Sequence, residues 1–147
     1  MRRYSTQVNA ASVAVAKDLI RISAPSTMTL CVIRAWVGQS GGVTSENARV
    51  LLQRASDTQT GTTETPQALE VGDPAATFTA QTLTADHALT GDPIVDEAFN
   101  WVSGYLWVPA PEERIWVPPS GRLVLRLAGA PAASKTVSAG MMVIEVG

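Results

Sequence analysis

The chain has 147 residues, a formal net charge of −2, one cysteine and one histidine. This length suits one domain, and such a chain can bury about 70% of the surface that its unfolded form exposes, so folding requires neither a disulfide nor a metal. The small net charge excludes a long-range attraction to nucleic acid or acidic membranes. No apolar run approaches the ~20 residues of a membrane helix, and polar residues after Arg2 and Arg3 lead us to expect no signal peptide.

The first part of the chain is predicted to consist of strands and turns. Residues 1–11 are polar and small, which predicts a loose N-terminal arm or an edge strand. Residues 10–22 are rich in alanine, so a helix competes there. Their β-branched side chains and the break at Lys17 and Asp18 favour two short strands instead. Alternating apolar residues predict further strands over 29–39, which contains the single cysteine, Cys31, as a buried apolar residue, and over 47–55.

The middle and the C-terminal part contain two predicted loops and two predicted strands. The polar, threonine-rich stretch 56–75 has the composition of a surface loop. A strand is expected over 77–84, and a second long loop over 85–98, around His87. Residues 136–146 are apolar on both alternating faces, which predicts a strand that is covered on both sides.

The segment 99–127 holds three of the four tryptophans and organises the prediction. Residues 99–108 alternate with a period of two, which predicts one strand that Pro109 and Pro111 terminate. Its aromatic face consists of Phe99, Trp101, Ser103, Tyr105 and Trp107. A turn at 118–121 precedes a second alternating strand over 122–127.

These elements predict an all-β protein. About eight strands with long loops and little or no helix are typical of an antiparallel β-sandwich or jelly roll. We predict an N-terminal arm over 1–11 and a single jelly-roll domain over 12–147.

The residues that usually carry chemistry are sparse. His87 stands alone in a polar loop, and there is no cysteine and histidine cluster to bind zinc. Asp92, Asp96 and Glu97 lie close in sequence but lack the spacing of a calcium loop. Glu112 and Glu113 are adjacent, a spacing that does not suit a pair of glycosidase carboxylates. We therefore expect no catalytic site, no metal and no cofactor.

Several predicted strands are apolar on both faces, although no helix is predicted to cover them. One face then forms the core, and the second suits a subunit interface. The aromatic residues that belong to either the core or the interface are Trp36, Trp101, Tyr105, Trp107 and Trp116. The sequence does not show which of the two faces forms the core and which forms the interface.

Nearly the whole chain resembles the small jelly-roll proteins that decorate the capsids of tailed bacteriophages, also called cement proteins. The resemblance is carried by the segments 13–25, 72–76, 97–107, 109–114 and 120–127, among them the motif Pro109-Ala110-Pro111-Glu112-Glu113-Arg114. It implies a homotrimer on the outer surface of the virion, made in the host cytoplasm and bound to the major capsid protein. It implies no nucleic-acid or membrane partner, and no active site.

Two other functions compete with this one. A trimeric fibre or tail-tip domain that binds a host glycan would present aromatic residues on loops, whereas most aromatic residues here fall in predicted strands. An enzyme would require catalytic groups that the sequence does not bring together. For a cement protein, residues 1–11 and the loops 56–66 and 85–98 are the segments expected to reach the capsid.

Overall fold

The computed structural model describes residues 1–41, 45–56, 58, 61–83 and 88–147. Within these ranges the protein is all-β, and two antiparallel sheets pack against each other as a sandwich. This confirms the predicted fold class. The strands are β1 Arg2–Val13, β2 Lys17–Ser23, β3 Thr29–Gln39, β4 Asn47–Ala55, β5 Thr62–Glu64, β6 Gln67–Ala68, β7 Thr79–Thr82, β8 Leu89–Asn100, β9 Tyr105–Trp107, β10 Ile115–Val117, β11 Arg122–Leu127 and β12 Lys135–Val146, with one 3-10 turn, η1, at Pro111–Glu113.

The strand order of each sheet shows which strands are central and which lie at an edge. Sheet A runs β10–β3–β12–β1–β6, and β9 also pairs with β3 beside β10. Sheet B runs β5–β7–β2–β11–β4–β8. The long strands β3, β12 and β1 therefore form the middle of sheet A, while the short strands β9 and β10 share one edge of it.

The core lies between the sheets and is built by alternate residues of the long strands. Because side chains alternate across a strand, only every second residue faces the opposite sheet. Burial of each large apolar side chain contributes roughly 1.5–3 kcal/mol. Fully buried core residues include Leu19, Ile20, Ile22, Leu30, Leu52, Leu123, Leu125, Leu127 and Met141.

The described residues form twelve strands rather than the expected eight. Part of the difference comes from strands of two or three residues, such as β6 and β9, whose alternation is too short to recognise in sequence. Another part is β8, which occupies most of the expected loop 85–98. It is an edge strand with several polar and exposed residues, so it lacks the apolar alternation of a half-buried strand.

The expected single strand over 99–108 is wrong, because the chain changes sheets inside it. β8 ends at Asn100 in sheet B, and β9 begins at Tyr105 in sheet A. The carbonyl of Asn100 accepts the N–H groups of Ser103 and Gly104, at 3.1 and 3.0 Å. Gly104 has φ +68°, which glycine adopts at little cost. The buried and exposed residues nevertheless alternate through much of the segment as predicted.

Residues 2–11 lie within β1, so this part of the predicted N-terminal arm is a paired strand. β1 pairs with β12 from Arg2 to Val13, and part of its other side pairs with β6. Tyr4 is fully buried, and its hydroxyl donates a hydrogen bond to the carbonyl of Pro74 at 3.0 Å. The N-terminal segment is therefore part of the sandwich, because its alternate residues complete the core.

Candidate interaction surface

The structure divides the five predicted aromatic residues between the core and the surface. Trp101 and Tyr105 are buried in the core. Trp107 is opposite Ala35 in the ladder and packs against the core at the edge of sheet A. Trp36 is partly buried and Trp116 is 49% exposed.

Trp36 and Trp116 lie on the outer face of sheet A, the face that is turned away from sheet B. Trp36 falls between the core residues Ala35 and Val37 of β3, so its side chain projects outward. Across the ladders it is opposite Leu106 of β9 and Gly140 of β12. Trp116 of β10 is opposite Cys31 of β3.

A glycine on β12 lets the indole of Trp36 lie against the sheet. A Cβ atom at Gly140 would stand 2.3 Å from Cζ2 of Trp36 and 2.7 Å from the carbonyl oxygen of Thr6. No other residue fits there without a shift of the ring or of the neighbouring strand. The guanidinium of Arg34 lies over the same indole, with Cζ 5.4 Å from the ring centroid. Gly140, Trp36 and Arg34 thus form one stack, in which the aromatic ring supports the cation.

Two arginines of this face keep a buried donor without an acceptor. The Nε atoms of Arg34 and Arg114 are shielded from solvent, and within the described ranges neither has a hydrogen-bond partner. Arg114 precedes Ile115, a core residue of β10, so it belongs to the outward side of that edge. A buried donor without an acceptor costs about 1–3 kcal/mol, so each of these N–H groups is an uncompensated polar group of this face.

We call this surface the arginine–tryptophan face and define it by Arg34, Trp36, Leu106, Arg114, Trp116 and Met142. Leu106 is 58% exposed, and Val108, just beyond β9, is 63% exposed. Tryptophan, arginine and methionine are enriched at protein–protein interfaces, and tryptophan and arginine dominate their binding energy. The face can therefore bind another protein surface, and its arginines favour one that carries carboxylates.

The cavity at one end of the sandwich is a separate feature. It has a volume of about 310 Å³ and is lined in part by Glu46, Arg49 and Trp101. Beside it, Glu46 accepts hydrogen bonds from Nζ of Lys135 at 2.8 Å and from the N–H of Ala132 at 2.7 Å. These bonds hold the pKa of Glu46 below its ordinary value, Lys135 being the larger cause. The pair fastens the start of β12 to the residues before β4.

The remaining candidates from the sequence are not brought together into a site. His87 lies outside the described residues. Asp96 forms a two-pronged ion pair with Arg49 at 2.6 Å, which occupies its carboxylate. No three metal-ligating side chains cluster among the residues that the structure describes. Glu112 and Glu113 are exposed on η1.

Cys31 is buried in β3, as its apolar neighbours predict. Burial raises the pKa of its thiol, and the nearby Arg114 opposes this shift to a smaller extent. The neutral thiol is therefore favoured, which agrees with a packing role.

The sequence analysis missed Arg34, Arg114 and Gly140. A signal for the stack existed in β3, where Arg34 and Trp36 are two residues apart and therefore share a face. Gly140 inside a strand was also a signal, since a glycine there often marks a close approach.

No protein-family model, no curated protein and no solved structure matches the chain. In the described ranges, no helix has the length and the hydropathy to cross a membrane.

Proposed function

We propose that the protein is a structural component of a bacteriophage virion, a capsid decoration protein that binds the outer surface of the head as a homotrimer. The observation that carries the proposal is the arginine–tryptophan face. It places exposed apolar side chains and partly exposed arginines on or beside an ordered sheet, which suits a fixed contact between proteins. The phage head as the binding partner and the trimeric state are proposed from the sequence resemblance.

A sandwich of this kind is suited to mechanical work. Its strands are joined by antiparallel ladders, and β1 pairs with β12 over almost its whole length. On this proposal the ladder-joined sandwich contacts two neighbouring capsid subunits and holds them together. On this proposal the partner is the major capsid protein, and the chain acts after its synthesis in the host cytoplasm.

The open edge of sheet B offers a second surface for the shell. Among the described strands, β8 is outermost in that sheet and pairs with β4 alone, so its other side presents backbone donors and acceptors. A segment of a capsid subunit can add to such an edge as a further strand. Each contact is weak, but a trimer that engages several subunits gains about 10²–10⁴ in avidity where the geometry permits simultaneous binding.

The test compares phage heads with and without the protein. Heads assembled from a genome that lacks this coding sequence should break at a lower temperature and under a milder osmotic shock than complete heads, and adding the purified protein should restore their resistance. Equal resistance of the two kinds of head would overturn the cement function. A trimeric fibre or tail-tip domain that binds a host glycan would then replace it.

A further inference from the structure

Among the described residues, the arginines of the arginine–tryptophan face have no carboxylate partner. No ion pair within the described ranges includes Arg34 or Arg114, although both are cationic and each keeps a buried Nε–H without an acceptor. Arg34 is held in place by the indole of Trp36, which reduces the entropy that a partner must remove. The pair is therefore prepared for acceptors that come from outside the chain.

Two carboxylates, those of Glu112 and Glu113, lie in the connection just before Arg114. Glu112 and Glu113 are exposed on η1, and no hydrogen bond or ion pair of their side chains occurs among the described residues. Pro111 is the first residue of the turn and Pro109 precedes it, and each proline restricts the backbone at its own position. The two acidic side chains are thus presented on a short, stiff projection.

The ladders place η1 beside the arginines. β9 pairs with residues 35–37 of β3, and β10 pairs with residues 30–32. The connection between β9 and β10, which contains η1, therefore passes alongside Arg34 at the edge of sheet A. Donors and acceptors are neighbours on one edge, yet they do not pair with each other within the chain.

We propose that η1 of one copy docks on the arginine–tryptophan face of the next copy, so that Glu112 and Glu113 bind Arg34 and Arg114 across the subunit boundary. This inference rests on the proposed homotrimer and names its interface. Each copy carries both the carboxylates and the arginines, so the contact can repeat from copy to copy and closes into a ring when the rotation between copies permits. Charged hydrogen bonds between guanidinium and carboxylate fix the orientation, while Trp116 and Leu106 supply the apolar area around them.

The experiment measures mass in solution by light scattering and sedimentation at micromolar protein concentration. The wild type should be a trimer. Glu113→Lys and, separately, Arg34→Glu should each weaken the trimer at least about tenfold, since close charge pairs at interfaces couple strongly. The matched control is Asp92→Lys, the same charge change on the exposed side of β8, which should leave the trimer unchanged.

A variant in which the charges of the two groups are exchanged distinguishes loss of this interface from unfolding of the protein. The fourfold variant Arg34→Glu, Arg114→Glu, Glu112→Lys and Glu113→Lys restores opposite charges at every boundary and should form trimers again. Circular dichroism of each variant shows whether it is folded.

The outcomes distinguish this inference from the proposed function. If the wild type is a trimer and Glu113→Lys is an unchanged trimer, the interface assignment is wrong and the proposed function stands. If Glu113→Lys remains a trimer but no longer binds heads, η1 serves the capsid and the inference is again wrong. A monomeric wild type, in solution and on heads, would overturn both.

Discussion

Replacing Gly140 by alanine should destabilise the protein and disorder the stack on sheet A. The new Cβ would stand 2.3 Å from the Trp36 ring and 2.7 Å from the Thr6 carbonyl, so either the indole or strand β1 must move. Forced overpacking of this kind costs about 1–3 kcal/mol. In a domain of this size each kcal/mol lowers the melting temperature by roughly 2–4 °C, which gives a decrease of roughly 2–12 °C.

The assay is thermal unfolding followed by circular dichroism, at one fixed protein concentration because assembly raises the apparent stability. The matched control is Gly38→Ala. Gly38 also lies in a strand of sheet A, and a Cβ there would meet no heavy atom within 4 Å. Its effect should remain within about 0.5 kcal/mol of the wild type. If Gly140→Ala melts together with Gly38→Ala, the close packing of Trp36 on β12 is refuted.

Three further predictions concern the core, the first strand and the pH dependence. Trp101→Ala should cost about 3–5 kcal/mol of folding stability, whereas Trp116→Ala should barely change the stability of the monomer but weaken assembly, as urea unfolding and light scattering would show. Deleting residues 1–8 should prevent folding, because it removes Tyr4 and most of the β1 ladder; a folded, trimeric deletion variant in circular dichroism and light scattering would contradict this. Glu46 has a lowered pKa in the folded state, so its contribution is present above its ordinary value of 4.5 and is lost as the pH falls through the folded pKa. Glu46→Gln removes this titration, so the free energy of unfolding of the variant should fall less on acidification than that of the wild type. The same pH dependence in both proteins would contradict this role of Glu46.

The sequence predicted the parts of the fold that depend on local alternation. β3 and β4 have the bounds that their patterns indicated, although a bulge between Val32 and Arg34 shifts the alternation of β3, so that Leu30 and Val32 face the core. The strands chosen over a helix in 10–22 are confirmed as the end of β1 and β2, since β-branched residues fill the core there. The burial of Trp101 and Tyr105 also follows the predicted alternation.

Features that depend on the register between distant strands were not accessible from the sequence. The change of sheet between Asn100 and Tyr105 keeps the period of two, so alternation alone cannot reveal it. The stack requires Gly140 to stand opposite Trp36, and this pairing is set by a ladder between strands about a hundred residues apart. The same limit explains why Arg34 and Arg114 were not assigned to one face.

The most direct test of the account is a cryo-electron reconstruction of the virion whose genome encodes this chain. The account predicts threefold density for the sandwich on the outer surface of the head, with η1 of each copy against sheet A of the next. Density for the sandwich at the tail, or single copies on the head without contact between them, would contradict it.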